Sequence, residues 1–125
     1  MIVGIGVDIV EIARFEKLQE KFGDRFAGRI LTADELIEYG RRGQSCSYLA
    51  LRFAAKEAVA KACGTGIGAE LGFQTMQIDN DDLGKPVLRF LEAASALVER
   101  LQIRNSLISL SDEKHYAVAM VVLES

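Results

Sequence analysis

An alanine-rich stretch occupies the middle of the chain and reads Leu49-Ala50-Leu51-Arg52-Phe53-Ala54-Ala55-Lys56-Glu57-Ala58-Val59-Ala60-Lys61-Ala62. Alanine and leucine are strong helix formers, so this stretch predicts a helix over about 48–63 that ends at the glycines after it. At about 100° per residue, Arg52 and Lys56 fall near one direction, whereas Glu57 and Lys61 fall roughly 140° away. A surface helix normally has one polar face. Two charged faces therefore indicate that one charged pair lies in a cleft lined by small residues.

The pair Glu57 and Lys61 has two interpretations. Because the two residues are four positions apart on a helix, they are spaced for a surface ion pair worth a few tenths of a kcal/mol. Alternatively, they face the cleft and take part in chemistry. The spacing alone does not separate these interpretations.

A second carboxylate follows the N-terminal strand. The alternation over Ile2–Val7 predicts a short strand whose one face carries Gly4 and Gly6 and then meets Asp8. Asp8 has the position of an N-cap for a helix over 9–22, a role worth about 1 kcal/mol. Alternatively, Asp8 lies open to the cleft and, together with Glu57, holds a hard cation such as Mg²⁺, which prefers oxygen ligands.

The whole chain alternates helix and strand signals in the order βαααββαββ. Thr32-Ala33-Asp34-Glu35 has the spacing of a capping box and predicts a short helix that ends near Gly40. The later pattern predicts strands over 73–79 and 86–90, a helix over 91–101, and a hairpin of strands over 106–111 and 116–124. These elements predict an α+β fold in a single domain, residues 1–125.

Composition excludes several functions. In 125 residues, 15 Lys and Arg against 18 Asp and Glu give a net charge of -3, which argues against a general nucleic-acid binder. Two cysteines without a CxxC pair and a single histidine argue against zinc fingers, disulfide scaffolds and Ser-His-Asp catalysis. The chain has no basic leader and no apolar run of membrane-spanning length, so we expect a cytoplasmic protein with no membrane segment.

Two local patterns suggest ligands. The glycine-rich segment after the helix, which includes Gly64, Thr65 and Gly66, is either a helix C-cap or a loop that lets a nucleotide approach the backbone. Basic residues recur every three or four positions, among them Arg14, Arg25 and Arg29. Phenylalanines, including Phe26, lie beside them. This stripe is either a solvated helix face or a docking surface for an acidic protein or a phosphate group.

The motifs GxDxxE, at Gly6 to Glu11, and FxxKExxxKA, at Phe53 to Ala62, resemble those of the holo-acyl-carrier-protein synthases, which are small 4′-phosphopantetheinyl transferases. The resemblance runs the length of the chain. It implies transfer of the phosphopantetheine arm of coenzyme A to a serine of an apo-acyl-carrier protein, with release of 3′,5′-ADP. It also implies a role in fatty acid biosynthesis, Mg²⁺ dependence, and a homotrimer with sites between subunits. One departure is Ser111-Asp112, where many members carry Ser-His.

The resemblance also assigns roles to individual residues. It implies that Asp8 and Glu57 bind the metal and that Lys61 contacts phosphate, and Glu57 is the candidate base for the serine hydroxyl. The residues expected to contact the coenzyme are Arg52, Lys61, Gly64, Thr65 and Gly66. Those expected to dock the carrier protein are Arg14, Arg25, Phe26 and Arg29.

Two other classes of function are compatible with the residues. A non-catalytic module that binds a nucleotide or RNA would use the glycine loop and the basic stripe, and its binding would survive loss of Asp8 and Glu57 but fall steeply with salt. A purely structural subunit of an oligomer would leave the second charged face of the helix unexplained.

Overall fold

The computed structural model describes residues 1–125, which form five α-helices and five strands. In chain order they are β1 (Ile2–Glu11), α1 (Ile12–Phe22), α2 (Asp24–Ile30), α3 (Ala33–Arg41), α4 (Cys46–Cys63), β2 (Met76–Asn80), β3 (Pro86–Phe90), α5 (Ser95–Leu101), β4 (Asn105–Asp112) and β5 (Tyr116–Glu124), with 3₁₀ helices at Phe73–Thr75 and Glu92–Ala94. One antiparallel sheet has the order β1-β5-β4, and β2 pairs with β3 in another. The predicted α+β class is confirmed.

Helix α4 packs directly on β1. A Cβ atom built on Gly4 or Gly6 would lie 1.9 Å from the backbone oxygen of Ala62 or Ala58, respectively. Glycine is therefore required at both positions, because any side chain would push the strand off the helix. The bare face of the strand is covered by α4 and does not line an open cleft. Asp8 is the next residue on this face, so the close packing delivers its carboxylate to the side of α4.

The end of β1 corrects the predicted start of α1. Backbone pairing with β5 continues to Glu11, so Asp8 lies inside the strand, opposite Ala119. Helix α1 begins at Ile12, and its N-cap Glu11 makes no side-chain capping bond. The prediction that Asp8 caps a helix over 9–22 is therefore wrong. Pairing with β5 is a long-range interaction that a local capping pattern does not contain.

The predicted order βαααββαββ lacks one helix. The short helix α2 lies between Gly23 and Leu31, and it buries only Ala27 and Ile30. The predicted capping box is confirmed: Glu35 N donates to Thr32 Oγ1 at 3.3 Å, and Thr32 N donates to Glu35 Oε1 at 2.9 Å.

The two charged faces of α4 lie in opposite environments. Arg52 and Lys56 are 3% and 0% exposed, so both side chains are buried against neighbouring elements. Glu57 is half-buried and Lys61 is exposed. The helical spacing of about 100° per residue correctly separates the two pairs. It does not show which pair is buried, because that depends on the elements that pack on each face.

The outer face of the β1-β5-β4 sheet is apolar and uncovered. Its exposed side chains include Ile5, Val7 and Ile9 of β1, Met120 of β5 and Leu107 of β4. Registers of Val7 with Met120 and Ile5 with Val122 place them on one continuous surface. None of the helices is long and apolar enough to cross a bilayer.

Candidate active site

Lys61 joins α4 to β1. Its Nζ atom donates to Asp8 Oδ1 at 3.0 Å and to the Val7 carbonyl oxygen at 2.9 Å. The Lys61 side chain is 52% exposed, whereas that of Asp8 is 16% exposed. An ammonium has three N–H donors, so one is left for a ligand on the solvent side. A positive charge is therefore fixed in place and accessible to an anion.

Glu57 lies one turn before Lys61 on the same side of α4. Burial, followed by the negative charge of Asp8, raises the pKa of the Glu57 carboxyl, and the positive charges of Lys61 and Arg14 oppose this rise. No ion pair within 4.0 Å joins Glu57 to Lys61, because Lys61 pairs with Asp8 instead. The structure thus brings together two carboxylates and one ammonium.

The two carboxylates fit a hard divalent cation. Asp8 Oδ2 is buried and has no hydrogen-bond partner, which is costly for a carboxylate oxygen. Mg²⁺ is commonly held by one or two carboxylates and completes its coordination with water and substrate phosphate. No third Asp, Glu, His or Cys side chain joins the group. Asp8 and Glu57 therefore supply the donor set that Mg²⁺ prefers when a phosphate ligand is also present.

The glycine turn follows directly after Lys61. Gly64 has φ 77° and donates its N–H to the Lys61 carbonyl oxygen at 3.0 Å, which confirms the C-cap interpretation. Gly66 has φ 65°, and its N–H bonds to the Ala60 carbonyl oxygen at 3.2 Å. No atom lies within 4 Å of a Cβ built on either glycine, so the backbone here is open to a ligand. Thr65 lies between them, and its hydroxyl donates to the Gly66 carbonyl oxygen at 2.9 Å.

The structure does not bring Arg52 to this group. Its Nη2 atom donates to Asn80 Oδ1 at 2.7 Å, and its guanidinium lies 4.5 Å from the ring centroid of Tyr48. It lines a separate cavity of about 360 Å³ between α3, α4 and β2. Lys61 is nine residues further along α4, which is roughly 13 Å at the rise of a helix. Within one chain, Arg52 and Lys61 therefore belong to different surfaces.

The basic stripe divides into two parts. Arg25, Phe26 and Arg29 line a groove of about 240 Å³ between α1 and α2, together with Leu18 and Phe22. We call this the α1-α2 groove.

Arg14 lies apart from the α1-α2 groove. Its guanidinium is 5.7 Å from the ring centroids of both Phe15 and Phe53, and its charge acts on the pKa of Glu57. Arg14 therefore acts electrostatically on the candidate active site, whereas the sequence pattern groups it with the docking residues.

The sequence interpretation missed Phe53 as part of this surface. Phe53 is half-buried one turn before Glu57 on α4, and its ring packs against Phe15 at 5.2 Å and stacks on Phe73 at 5.4 Å between centroids. Phe15 in turn packs against Phe26 at 5.8 Å. Phenylalanines therefore connect the α1-α2 groove to the carboxylates. The signal in the sequence is the four-residue spacing of Phe53, Glu57 and Lys61.

Comparisons with known proteins show the family to which the chain is similar. The profile of the 4′-phosphopantetheinyl transferase superfamily matches residues 4–121. A holo-acyl-carrier-protein synthase of Shewanella frigidimarina is 56% identical over 124 residues, which are 99% of this chain and 98% of that protein. The crystal structure of holo-acyl-carrier-protein synthase from Neisseria meningitidis matches with a TM-score of 0.95 and 48% identity, covering 100% of both chains. A Bacillus anthracis holo-acyl-carrier-protein synthase in complex with CoA (3′,5′-ADP) matches with a TM-score of 0.81 and 43% identity, covering 100% of this chain and 98% of that one.

Proposed function

The chain belongs to the 4′-phosphopantetheinyl transferase superfamily and is a phosphopantetheinyl transferase. From this premise, we propose that it transfers the 4′-phosphopantetheine arm of coenzyme A to a serine of apo-acyl-carrier protein in fatty acid biosynthesis. The products are holo-acyl-carrier protein and 3′,5′-ADP. The observation that carries the proposal is the group of Asp8, Glu57 and Lys61 at the contact between β1 and α4, with Asp8 Oδ2 unpaired.

Asp8 and Glu57 would hold Mg²⁺. When bound there, the ion supplies positive charge to the pyrophosphate oxygens and helps to orient them for in-line displacement. Two observations support this role: burial and the charge of Asp8 raise the pKa of Glu57, and Asp8 Oδ2 is buried without a hydrogen-bond partner. Lys61 is held by Asp8 and Val7 with one donor left, and that donor binds a phosphate oxygen.

Glu57 has a second role in the proposed reaction. The serine oxygen attacks the phosphorus on the pantetheine side of the pyrophosphate, and the bond from that phosphorus to the oxygen of the leaving 3′,5′-ADP breaks. The serine proton passes to the Glu57 carboxylate, the acidic side chain one turn before Lys61 on the same side of α4. Lys61 stabilises the negative charge that grows on the phosphate oxygens and on the leaving group.

The residues proposed to contact the coenzyme come from two subunits. Gly64, Thr65 and Gly66 present an open backbone beside Lys61, whereas Arg52 lies on another surface of the same chain. A homotrimer with sites between neighbouring subunits allows one coenzyme molecule to contact the glycine turn of one subunit and Arg52 of the next. The exposed apolar face of the β1-β5-β4 sheet supports such an assembly, since large uncovered apolar surfaces usually mark interfaces.

The carrier protein is proposed to bind the α1-α2 groove. Arg25 and Arg29 provide positive charge, and Phe26 provides an apolar anchor, in a protein whose net charge is -3. Local positive charge of this kind steers an acidic partner toward a specific face and raises the association rate.

The deciding experiment mixes the protein with coenzyme A, MgCl₂ and an apo-acyl-carrier protein, followed by intact-mass spectrometry of the carrier. We expect the carrier to gain the mass of one phosphopantetheine arm, and we expect no gain when EDTA replaces MgCl₂ or when Asp8→Ala replaces the wild type. A carrier that keeps its mass under all conditions would contradict the proposed transfer. Nucleotide binding that persists in Asp8→Ala and Glu57→Ala and weakens steeply with salt would instead indicate a binding module.

A further inference from the structure

Lys56 carries a fully buried charge. Its side chain is 0% exposed, and its Nζ atom donates to three acceptors: the Ile30 carbonyl oxygen at 2.7 Å, Glu35 Oε1 at 2.6 Å and the Phe73 carbonyl oxygen at 2.7 Å. All three donors of the ammonium are therefore used inside the protein. Burial lowers the pKa of Lys56, and the charge of Glu35 opposes this.

Glu35 also accepts hydrogen bonds from two other parts of the chain. Its Oε1 atom also accepts from Thr32 N at 2.9 Å, and its Oε2 atom accepts from Ile78 N at 2.8 Å. The Lys56-Glu35 pair thus ties α4 to the end of α2, the start of α3, the 3₁₀ helix at Phe73 and strand β2.

Stability alone is a poor explanation for this pair. A buried ion pair costs much of its attraction in lost hydration, and apolar residues of similar volume often replace such pairs without loss of stability. The pair does fix the geometry of the surrounding segments. An ammonium with short hydrogen bonds to three separate segments holds each of them at a fixed distance from α4.

Two of the elements that Lys56 links, α2 and α4, carry residues of the proposed reaction. Ile30 is the last residue of α2, which contributes Arg25, Phe26 and Arg29 to the α1-α2 groove. Glu57 directly follows Lys56 on α4. Helix α2 has seven residues and buries only two side chains, so apolar packing gives it little anchorage. The bond from Lys56 to Ile30 is therefore a direct polar link between the groove and the candidate base.

We propose that Lys56, together with Glu35, is a positioning residue that sets the placement of the α1-α2 groove relative to the Glu57 carboxylate. This inference rests on the proposed transfer to a carrier protein. Lys56 touches neither substrate, because its ammonium is enclosed; it acts through α2. Its loss therefore impairs use of the carrier protein and leaves binding of coenzyme A unchanged.

The test measures steady-state transfer for wild type, Lys56→Met and Glu35→Gln at a temperature where circular dichroism shows each to be folded. We expect kcat/KM for the carrier protein to fall by about tenfold or more, in line with the cost of small misplacements, while KM for coenzyme A stays unchanged. Glu35→Gln keeps the side chain's size and serves if Lys56→Met does not fold. Leu97→Ala is the stability control, because Leu97 is buried in α5 and lies outside this network.

A double-mutant cycle with Arg25→Ala separates positioning from a general loss of fold. If Lys56 acts through the groove, the effect of Arg25→Ala on kcat/KM for the carrier shrinks in the Lys56→Met or Glu35→Gln background. Additive effects, or equal losses for carrier and coenzyme, overturn the positioning role while the proposed function stands. A wild-type protein that transfers no arm overturns the proposed function itself, and the positioning role falls with it.

Discussion

The environment of Asp8 is unfavourable for folding and suited to binding a cation. Its carboxylate is mostly buried, one oxygen is unpaired, and the charge of Glu57 lies nearby. Such strain is common at functional sites, where removal of the functional group often costs the fold little. The only ion pair of Asp8 is with a half-exposed lysine, which contributes little to folding.

We therefore expect Asp8→Asn to abolish most transfer while changing the free energy of unfolding by less than about 1 kcal/mol. Loss of a metal ligand removes several kcal/mol of transition-state stabilisation, or about two orders of magnitude in rate at the least. Thermal unfolding with and without MgCl₂ provides an independent check. Mg²⁺ should raise the Tm of the wild type but not that of Asp8→Asn. A variant that keeps near-normal turnover would remove Asp8 from the proposed metal site.

The two lysines of α4 should respond to truncation in opposite ways. Lys61→Ala is expected to raise KM for coenzyme A with little change in Tm, because Lys61 is half exposed and faces the ligand side. Lys56→Ala leaves Glu35 buried without its counter-charge and should lower the free energy of unfolding by about 3 kcal/mol or more. Denaturant unfolding and coenzyme titrations on both variants compare the two outcomes directly. Equal effects on KM would count against the assignment of Lys61.

Arg25 is a sharper test of carrier docking than Arg14. Arg25→Glu should raise KM for the carrier protein, most strongly at low salt, because exposed charges are screened beyond about 10 Å at 0.1 M ionic strength. Lys17→Glu makes the same charge change on α1 outside the groove and is the matched control. Arg14→Glu should also change kcat, since the Arg14 charge acts on Glu57. An unchanged KM for Arg25→Glu at low salt would exclude the groove as the docking face.

The elements of the fold could be predicted where the signal is local. The capping box at Thr32 and Glu35 and the glycine ends at Gly23 and Gly64 all occur where the sequence places them. The extension of β1 to Glu11 could not be predicted, because it depends on a partner strand about a hundred residues away. The same reason explains why the burial of Lys56 was not visible: its acceptors come from three segments distant in sequence.

The contact between β1 and α4 leaves no space for a methyl group. Gly6→Ala would place a Cβ 1.9 Å from the Ala58 carbonyl oxygen, so the strand must move and carry Asp8 with it. We expect a loss of at least about 2 kcal/mol in the free energy of unfolding, together with loss of transfer. Gly40→Ala is the control: its Cβ would meet no atom within 4 Å, and alanine in a helix should stabilise by about 0.5–1 kcal/mol. Normal stability of Gly6→Ala would show that β1 and α4 are less closely packed.

At the scale of the whole molecule, the uncovered sheet face predicts self-association. Ile5→Glu should dissociate the proposed homotrimer and reduce transfer, because a charge in an apolar interface loses its hydration without a partner. Ile37→Glu is a close control, since Ile37 on α3 is 65% exposed and Ile5 is 66% exposed. Analytical ultracentrifugation gives the mass of each variant. A monomeric wild type, or an Ile5→Glu protein that stays assembled, would contradict the interface.

The sequence predicts which residues belong to the candidate site but not how they contact one another. Asp8, Glu57 and Lys61 follow from their motifs, but the motifs do not show that Lys61 bonds to Asp8 in place of Glu57. They also do not show that Arg52 faces a different cavity of the same chain. Both facts depend on how far apart the elements lie in space, which the spacing along one helix does not contain.

The two faces of β1 impose a strict limit on changes in chain length. From Gly4 onward, one face meets α4 and carries Asp8, while the other presents Ile5, Val7 and Ile9 to the outside. An insertion or deletion of one residue between Gly4 and Asp8 would exchange the faces, so a branched side chain would meet α4 and the carboxylate would turn outward. Before Gly4 the pairing with β5 already shifts register, so we expect changes in chain length to be tolerated better there.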